Sequence, residues 1–455
     1  MKKKIISSIL VIMLITLAFA GCGTGSSDAP PASNASQPAG DSAAAEPAGE
    51  ARFQSRTINF LSIWDDTDPT QDSYMILDIS RQYGETVDNF EILHEFVGIE
   101  NIDQRISILA ASNDLPEIAT YESGSRLKAL IETGQILNVE ETWKELGIYE
   151  YLDDGAASLL KNLVDNVGLY AAPLGLNMEG FWYHKELFAQ AGITDTPKTW
   201  DEFMDVCQKL KDAGIAPIAQ GGKDQWPVTR VLNAYAVRSI GNDAITDAML
   251  GKASFTDPEY VAAAQMFADM AANEYFIVGM TTIDHGTSIA MLMNGQSAML
   301  YNGSWVTGNL NSDENAAGPE GIGFFNVPTA GGASGPNDYS MNCGNILVFS
   351  ADKYDEAVAD WMKYVFPRIG DHAMNNNGTF KGYKINDMPE ETSYYTQIVA
   401  NALSGAENAF LWFEAKMDNE TSALAQNNIT LLYSGEMSPE AYMAMLQESA
   451  EKNRA

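Results

Sequence analysis

The chain has 455 residues, and its 27 lysine and arginine residues against 61 aspartate and glutamate residues give a formal net charge of −34. This length accommodates two domains and a tail. The negative charge excludes nucleic acid as a natural partner, because phosphate binding requires a basic patch. It also disfavours free adsorption to anionic lipid.

The N-terminus has the pattern of a secretory signal. Residues 2–4 are lysines, and an apolar run over residues 5–20 follows them. The run ends in Phe19-Ala20-Gly21-Cys22, which resembles the lipobox of bacterial lipoproteins. That resemblance implies that 1–22 comprises a signal peptide and a lipidated Cys22, so that acyl chains would hold the protein on a membrane. The alternative is a soluble secreted protein with an incidental cysteine.

The next segment, 23–55, is rich in Ser, Ala, Pro, Gly and acidic residues, and we expect a flexible tether there. Alternating strand and helix patterns begin after it and favour a parallel-rich α/β sheet. The predicted elements are a strand at 57–63, a helix at 73–83, a strand at 91–97 and a helix at 104–111.

The stretch 173–203 is the most informative part of the sequence. Aromatic residues at 180–183 predict a buried strand, and 184–191 changes to helical period before Gly192. Thr199 and Glu202 then have the spacing of a capping box at a helix start. Farther on, Asp257 is a predicted N-cap, and 297–305, 322–328 and 345–349 contain strand patterns.

Several phrases in this order resemble family 1 extracellular solute-binding proteins of sugar ABC importers. They are Tyr183-His184-Lys185-Glu186-Leu187-Phe188, the pattern P-x-T-W-x-E-F at 197–203, A-M-x-x-x-G-x-W at 298–305, and L-x-x-G-E-M-S-P-E-A at 432–441. Two positions depart from the family pattern. His184 replaces the usual Asn or Asp, and Trp182 stands where an aliphatic residue is commoner.

The resemblance implies an α/β, two-lobed periplasmic-binding-protein-like (type II) fold, in which each lobe is a sheet flanked by helices and a hinge joins the lobes. The implied N-terminal lobe is 56–172 with 340–372, and the implied C-terminal lobe is 173–339 with 373–455. The implied function is the capture of a carbohydrate in the interlobe cleft and its delivery to ABC permease subunits. We expect a monomer without catalysis or cofactor, lipid-anchored on the outer face of the cytoplasmic membrane.

A sugar site requires aromatic plates and polar acceptors from several loops, because a sugar has flat C–H faces and a ring of hydroxyls. Such residues recur near strand ends, although each alone is as compatible with a core position or a helix cap. We expect Trp226 and Trp305 to stack on the ligand and Asp65 and Glu122 to accept from its hydroxyls. The full set of candidates is Trp64, Asp65, Asp66, Tyr121, Glu122, Asn177, Asp224, Trp226, Tyr301, Trp305 and Trp412. Trp412 is a ligand wall or a core residue.

The remaining cysteines, Cys207 and Cys343, lie at unrelated positions, and we predict no disulfide between them. The sequence has four histidines without metal-ligand spacing, so we expect no metal site: His94, His184, His285 and His372.

Two alternative functions remain open at this point. A secreted glycoside hydrolase also has aromatics and two carboxyls in a cleft, and Asp65 with Glu122 would be the candidate pair. A surface sensor lipoprotein of the same fold without a transport role is the other. An acidic site is unsuited to uronates, which favours a neutral mono- or oligosaccharide.

Overall fold

The computed structural model describes residues 56–454. The predicted signal peptide, Cys22 and the predicted tether therefore lie outside the described residues. Within 56–454, none of the helices has the length and apolar character needed to cross a membrane.

The described residues form two mixed sheets. Their strands are β1 (Arg56–Ser62), β2 (Phe90–Phe96), β3 (Ile118–Tyr121), β4 (Ala172–Pro173), β5 (Asn177–His184), β6 (Ile218–Ala219), β7 (Met299–Gly303), β8 (Ile322–Phe325), β9 (Asp338–Asn342), β10 (Ile346–Phe349) and β11 (Asn408–Phe410).

Helices flank both sheets. They are α1 (Asp72–Gly84), α2 (Ile99–Ala111), α3 (Ser125–Glu132), α4 (Val139–Leu146), α5 (Asp154–Leu163), α6 (Lys185–Gln190), α7 (Trp200–Asp212), α8 (Trp226–Ser239), α9 (Ala244–Met249), α10 (Pro258–Ala272), α11 (His285–Met293), α12 (Thr307–Asn311), α13 (Glu356–Asn377), α14 (Tyr394–Gly405), α15 (Asn419–Ser434) and α16 (Pro439–Arg454).

The first lobe is built on a five-stranded sheet in the order β2-β1-β3-β10-β4. Strand β1 runs parallel to β2 and β3, whereas β10 runs antiparallel to β3 and β4. Its core includes Ile58, Phe60 and Ile118 from the sheet and Trp361 and Phe366 from α13. Helix α13 thus belongs to this lobe although it follows most of the second lobe in sequence.

The second lobe is built on a six-stranded sheet in the order β11-β9-β5-β7-β6, with β8 also paired to β5. Strand β5 is antiparallel to β7, β8 and β9, so it lies in the middle of the sheet. Successive side chains of a strand point to opposite faces. Phe181 accordingly packs into one core and Trp182 into another, so that both faces of the sheet are covered.

Two short connections join the sheets and form the hinge of this two-lobed fold. Three residues separate β4 from β5, and three separate β9 from β10. The connections are bonded together, because the Leu174 amide donates to the Cys343 carbonyl at 3.3 Å. The Leu176 amide donates to the Phe380 carbonyl at 3.0 Å, which ties in a third chain segment. The lobe bounds predicted from the sequence stay a prediction.

Most of the predicted elements are present, with ends that differ by a few residues. The capping box at α7 is confirmed, since the Glu202 amide donates to Thr199 Oγ1 at 3.3 Å and the Thr199 amide donates to Glu202 Oε2 at 3.1 Å. Gly192 has a φ of 69°, as its predicted role after α6 requires. Asp257 is the N-cap residue of α10 as predicted, but its carboxylate accepts from the Ser254 amide and not from an amide of the helix.

Both cysteines in the described residues are free and buried, which confirms the prediction of no disulfide. Cys207 lies in the core of the second lobe and Cys343 in that of the first.

Candidate functional site

Arg230 lies at the centre of a cluster of aromatic side chains. It follows Trp226 by four residues on α8, a spacing that puts both on one helix face. Its guanidinium carbon is 5.5 Å from the centre of the Trp226 ring and 5.3 Å from that of Trp412. The guanidinium therefore lies against two indoles at cation–π distance.

Two further rings extend the cluster from Trp226. The His285 ring centre lies 4.9 Å from that of Trp226, and the Trp305 centre lies 6.2 Å from it. Asp224 holds the start of α11 in place, since its Oδ2 accepts from the His285 amide at 2.6 Å. We call Trp226, Trp305, Trp412 and His285 the aromatic cluster.

Carboxyl groups surround Arg230 on the side away from solvent. Glu179 Oε1 is 2.5 Å from Arg230 Nη1, and its side chain is only 1% exposed. Glu414 Oε2 is 3.9 Å from Arg230 Nε, and Glu414 Oε1 accepts from the Thr229 hydroxyl. A buried pair of this kind requires both partners, because either charge alone would be left without compensation.

Glu122 extends this set of charges from the first lobe. It lies just beyond β3, and its Oε2 is 2.8 Å from Arg126 Nη1. Arg126 also pairs with Asp103. We call Asp103, Glu122, Glu179 and Glu414, with their two arginines, the acidic cluster.

Burial changes the protonation of this cluster. It raises the pKa of Glu414, against the opposing effects of Arg230 and Thr229. Burial likewise raises the pKa of Glu122, against Arg126, while Asp103 and Glu414 add to the rise. Burial lowers the pKa of His285 although its ring bonds to Asn302. These carboxyls therefore hold protons more readily, and the imidazole less readily, than the same groups in water.

An amide and hydroxyl network continues the site toward the hinge. Asn177 Nδ2 donates to Asn342 Oδ1 at 3.2 Å, and the Ser304 hydroxyl donates to Asn177 Oδ1 at 3.1 Å. Asn342 Nδ2 donates to Glu179 Oε1 at 2.7 Å. These bonds connect Asn177 of β5 and Asn342 of β9 to the Glu179 carboxylate, which pairs with Arg230.

The structure brings several of the predicted site residues together. The aromatic cluster includes Trp226, Trp305 and Trp412, and Asp224 supports it. Glu122 pairs with Arg126 and is within electrostatic range of Glu414 and Arg230. Asn177 lies in the amide network beside Glu179.

Two predicted tyrosines are core residues at the edge of the acidic cluster. The phenol of Tyr301 is within electrostatic range of Glu179 and Arg230, and that of Tyr121 is within range of Glu122 and Arg126. Tyr301 is 3% exposed and packs edge-on against Phe181 in the core of the second lobe. Tyr121 is 6% exposed and belongs to the core of the first lobe.

The loop after β1 uses its side chains locally. Trp64 packs against the core of the first lobe. Asp65 Oδ1 accepts from the Thr67 amide at 2.8 Å, and Asp66 pairs with Arg81 at 3.2 Å. Asp65 bonds to Thr67 and Glu122 pairs with Arg126, so these contacts do not bring the two carboxyls together. Nothing in these contacts supports them as a hydrolase pair.

Several residues of the site were not predicted from the sequence: Asp103, Arg126, Glu179, Arg230, His285, Asn302, Ser304, Asn342 and Glu414. The sequence contains a feature that could have indicated two of these residues. Glu179 is the one acidic residue of the otherwise neutral or apolar strand segment 177–183, and Arg230 is four residues after a predicted site tryptophan.

A cavity of about 570 Å³ lies away from the aromatic cluster, between α1 and β2 of the first lobe. Asp66 is the predicted site residue that lines this cavity, and Phe90 is the one Phe, Tyr or Trp residue in its lining. Within 56–454, His, Cys, Asp and Glu side chains form no group of three that could hold a metal ion.

Comparisons with known proteins agree on one family. A model described as bacterial extracellular solute-binding protein matches residues 93–366. An uncharacterized ABC transporter extracellular-binding protein of Pyrococcus horikoshii is 24% identical over 217 residues, which is 46% of each chain. The diacetylchitobiose binding protein NgcE of Streptomyces coelicolor is 29% identical over 134 residues, 29% of this chain and 28% of that one. The matches to the first two curated relatives span 46% and 61% of their lengths.

Solved structures show the same fold over nearly the whole described chain. A chitin oligosaccharide binding protein has a TM-score of 0.80 at 24% identity, covering 88% of this chain and 98% of that one. The solute-binding protein RafE in complex with raffinose has a TM-score of 0.68 at 16% identity, covering 88% of this chain and all of that one.

Proposed function

This chain belongs to the bacterial extracellular solute-binding protein family, and on that premise we propose that it captures a carbohydrate between its two lobes. It then delivers the sugar to the membrane permease of an ABC importer. The relatives named for diacetylchitobiose, chitin oligosaccharide and raffinose support a carbohydrate as the class of ligand.

The observation that carries this proposal is the aromatic cluster around Arg230. Indoles supply flat apolar surfaces for the C–H faces of a sugar ring, and the neighbouring carboxylates and amides accept from and donate to its hydroxyls. The cluster combines residues of the second lobe with Trp412, which packs against the core of the first lobe. A ligand held there contacts both lobes, and closure of the hinge increases those contacts.

The proposal includes a place for the protein in the cell. Cys22 carries the lipid that holds the chain on the outer face of the cytoplasmic membrane, and 23–55 separates the lobes from that anchor. The protein acts as a monomer and performs no chemistry on its ligand.

Calorimetric titration of the purified protein with a panel of oligosaccharides tests this function. We expect one ligand to bind per chain and to be recovered intact. A bound ligand at 100 times its dissociation constant adds about 2.7 kcal/mol to the free energy of unfolding, so a thermal-shift screen identifies candidates. Turnover of the oligosaccharide, or no binding of any sugar, would contradict the proposal.

A further inference from the structure

The acidic cluster has more carboxyl groups than positive partners. Arg126 pairs with Asp103 and Glu122, and Arg230 pairs with Glu179 and Glu414, so four carboxyls share two guanidinium groups. The side chains of Glu179 and Glu414 are only 1% and 6% exposed. The side chains of Asp103 and Glu122 are 34% and 38% exposed, so water screens them, whereas the buried Glu179 and Glu414 share Arg230 alone. A buried carboxylate without a positive partner costs several kcal/mol, so this buried pair favours a proton or a further cation.

The other groups near these carboxyls supply no further positive charge. Glu414 faces Arg230, Thr229, Glu179 and the Tyr442 hydroxyl of α16. Glu122 faces Arg126, Asp103, Glu414 and Arg230, and Tyr121 lies beside it. The nearest imidazole is that of His285, whose pKa burial lowers, so it is neutral at ordinary pH.

A second observation indicates a ligand at the same place. Asn302 is 3% exposed, and its Nδ2 has no hydrogen-bond partner among the described residues. Its Oδ1 is 3.2 Å from His285 Nε2, and the His285 ring packs on Trp226. The free amide thus lies at the aromatic cluster, where a hydroxyl of a bound sugar can accept from it.

The contacts of Arg230 show that this part of the site accommodates a positive charge. Its guanidinium lies against Trp226 and Trp412 and pairs with Glu179 and Glu414. Indole faces and carboxylates are also what an alkylammonium group requires, through cation–π contact and charged hydrogen bonds.

We infer that the site is specific for an amino sugar whose protonated amine pairs with Glu414 and Glu122, while its hydroxyls bond to Asn302. This inference rests on the proposed function, because it assumes a carbohydrate between the lobes. The raised pKa of Glu414 and of Glu122 fits it, since a ligand cation provides the compensation that protons otherwise give.

A matched ligand series tests the inference by calorimetry on the purified chain. Oligomers of glucosamine, N-acetylglucosamine and glucose with the same linkage and length differ at one substituent per ring. We expect the glucosamine oligomer to bind about tenfold more tightly than either neutral oligomer near about pH 6, where its amines are protonated, which is the effect of one charged hydrogen bond. Spermidine, an amine without a sugar ring, controls for attraction to the acidic surface and should bind far more weakly.

The pH dependence and two variants sharpen the test. Raising the pH removes the proton from the ligand amine, so the preference for glucosamine oligomers should decrease between about pH 6 and about pH 9. Glu414→Gln and Glu122→Gln should each reduce the preference, whereas the exposed control Glu436→Gln should leave it unchanged. Using two separate carboxyl variants keeps the test valid if one of them folds poorly.

The outcomes separate the inference from the proposed function. Equal or tighter binding of neutral oligomers, with no change in preference in either carboxyl variant, would overturn the inference and leave the proposed function standing. Failure of all three oligomers to bind would overturn the inference, and failure of the whole oligosaccharide panel would overturn the proposed function as well.

Discussion

Two segments of this molecule look alike in sequence and differ in structure. Trp64-Asp65-Asp66 follows β1, and Asp224-Gln225-Trp226 leads into α8. In the first, Asp65 accepts from Thr67 and Asp66 pairs with Arg81, so both aspartates have partners close by in the sequence. In the second, Trp226 contacts Arg230 on its own helix and also His285 and Trp305, which come from two other parts of the chain. An aromatic beside an acid thus indicates a site only when its partners are distant in sequence.

The largest expected effect concerns the arginine that each segment contacts. Arg230→Ala should lower the free energy of unfolding by about 3–5 kcal/mol, because it leaves Glu179 buried without its cation. Arg81→Ala, the control, removes an exposed pair with Asp66 and should cost at most about 1 kcal/mol. Urea denaturation of both variants measures the difference. Equal small losses would mean that the Arg230 pair is solvated in solution.

The second prediction compares the tryptophans. Trp226→Ala and Trp305→Ala should each weaken sugar binding by roughly 1–3 kcal/mol, because they remove stacking surfaces from the aromatic cluster. Trp64→Ala should leave the affinity unchanged, since Trp64 packs against the core of the first lobe. Calorimetry on the three variants measures this. A loss at Trp64 as large as that at Trp226 would place the ligand at the first segment.

The fold was more predictable than the site, for a physical reason. Strand and helix periods, the Thr199–Glu202 capping box and Gly192 are local signals, and local hydrogen bonds decide them. The pairing of Arg230 with Glu179 and Glu414 joins positions 51 and 184 residues apart, so it depends on tertiary packing. The burial of Tyr301 also depends on tertiary packing, because side-chain direction in β7 follows from its pairing with β5.

The third prediction uses two buried glutamates with opposite pKa shifts. Burial raises the pKa of Glu414, so lowering the pH from neutral through that raised pKa should stabilise the fold, and the gain is complete below the ordinary value of 4.5. Burial alone would raise the pKa of Glu117 as well, but bonds from Asn59 and the charge of Arg56 outweigh it and lower the pKa. The stability that the Glu117 carboxylate contributes is present above pH 4.5, and it is lost as the pH falls through the lowered pKa of Glu117.

Glutamine variants at these two positions separate the contributions. Relative to the parent chain, Glu414→Gln should remove part of the stabilisation on acidification, and Glu117→Gln should remove part of the acid-side loss. Unfolding free energies measured across the pH range test both signs. The same change of slope in both variants would contradict the opposite pKa shifts.

The smallest expected effects concern the aspartates of the two segments. Asp224→Asn should weaken sugar binding about two- to fivefold, because it loosens the bond that positions His285 at the aromatic cluster. Asp65→Asn should leave the affinity unchanged, since Asp65 is exposed and bonds to Thr67. Titration of both variants with the same sugar checks this, and a greater loss at Asp65 would reverse the assignment of the two segments.

A crystal structure of the protein grown with a saturating oligosaccharide tests the central claim most directly. The account predicts one sugar between the lobes, with its rings on Trp226 and Trp305 and its polar groups within hydrogen-bond distance of Glu414 or Asn302. A sugar bound instead in the cavity between α1 and β2, or against Trp64 alone, would contradict it.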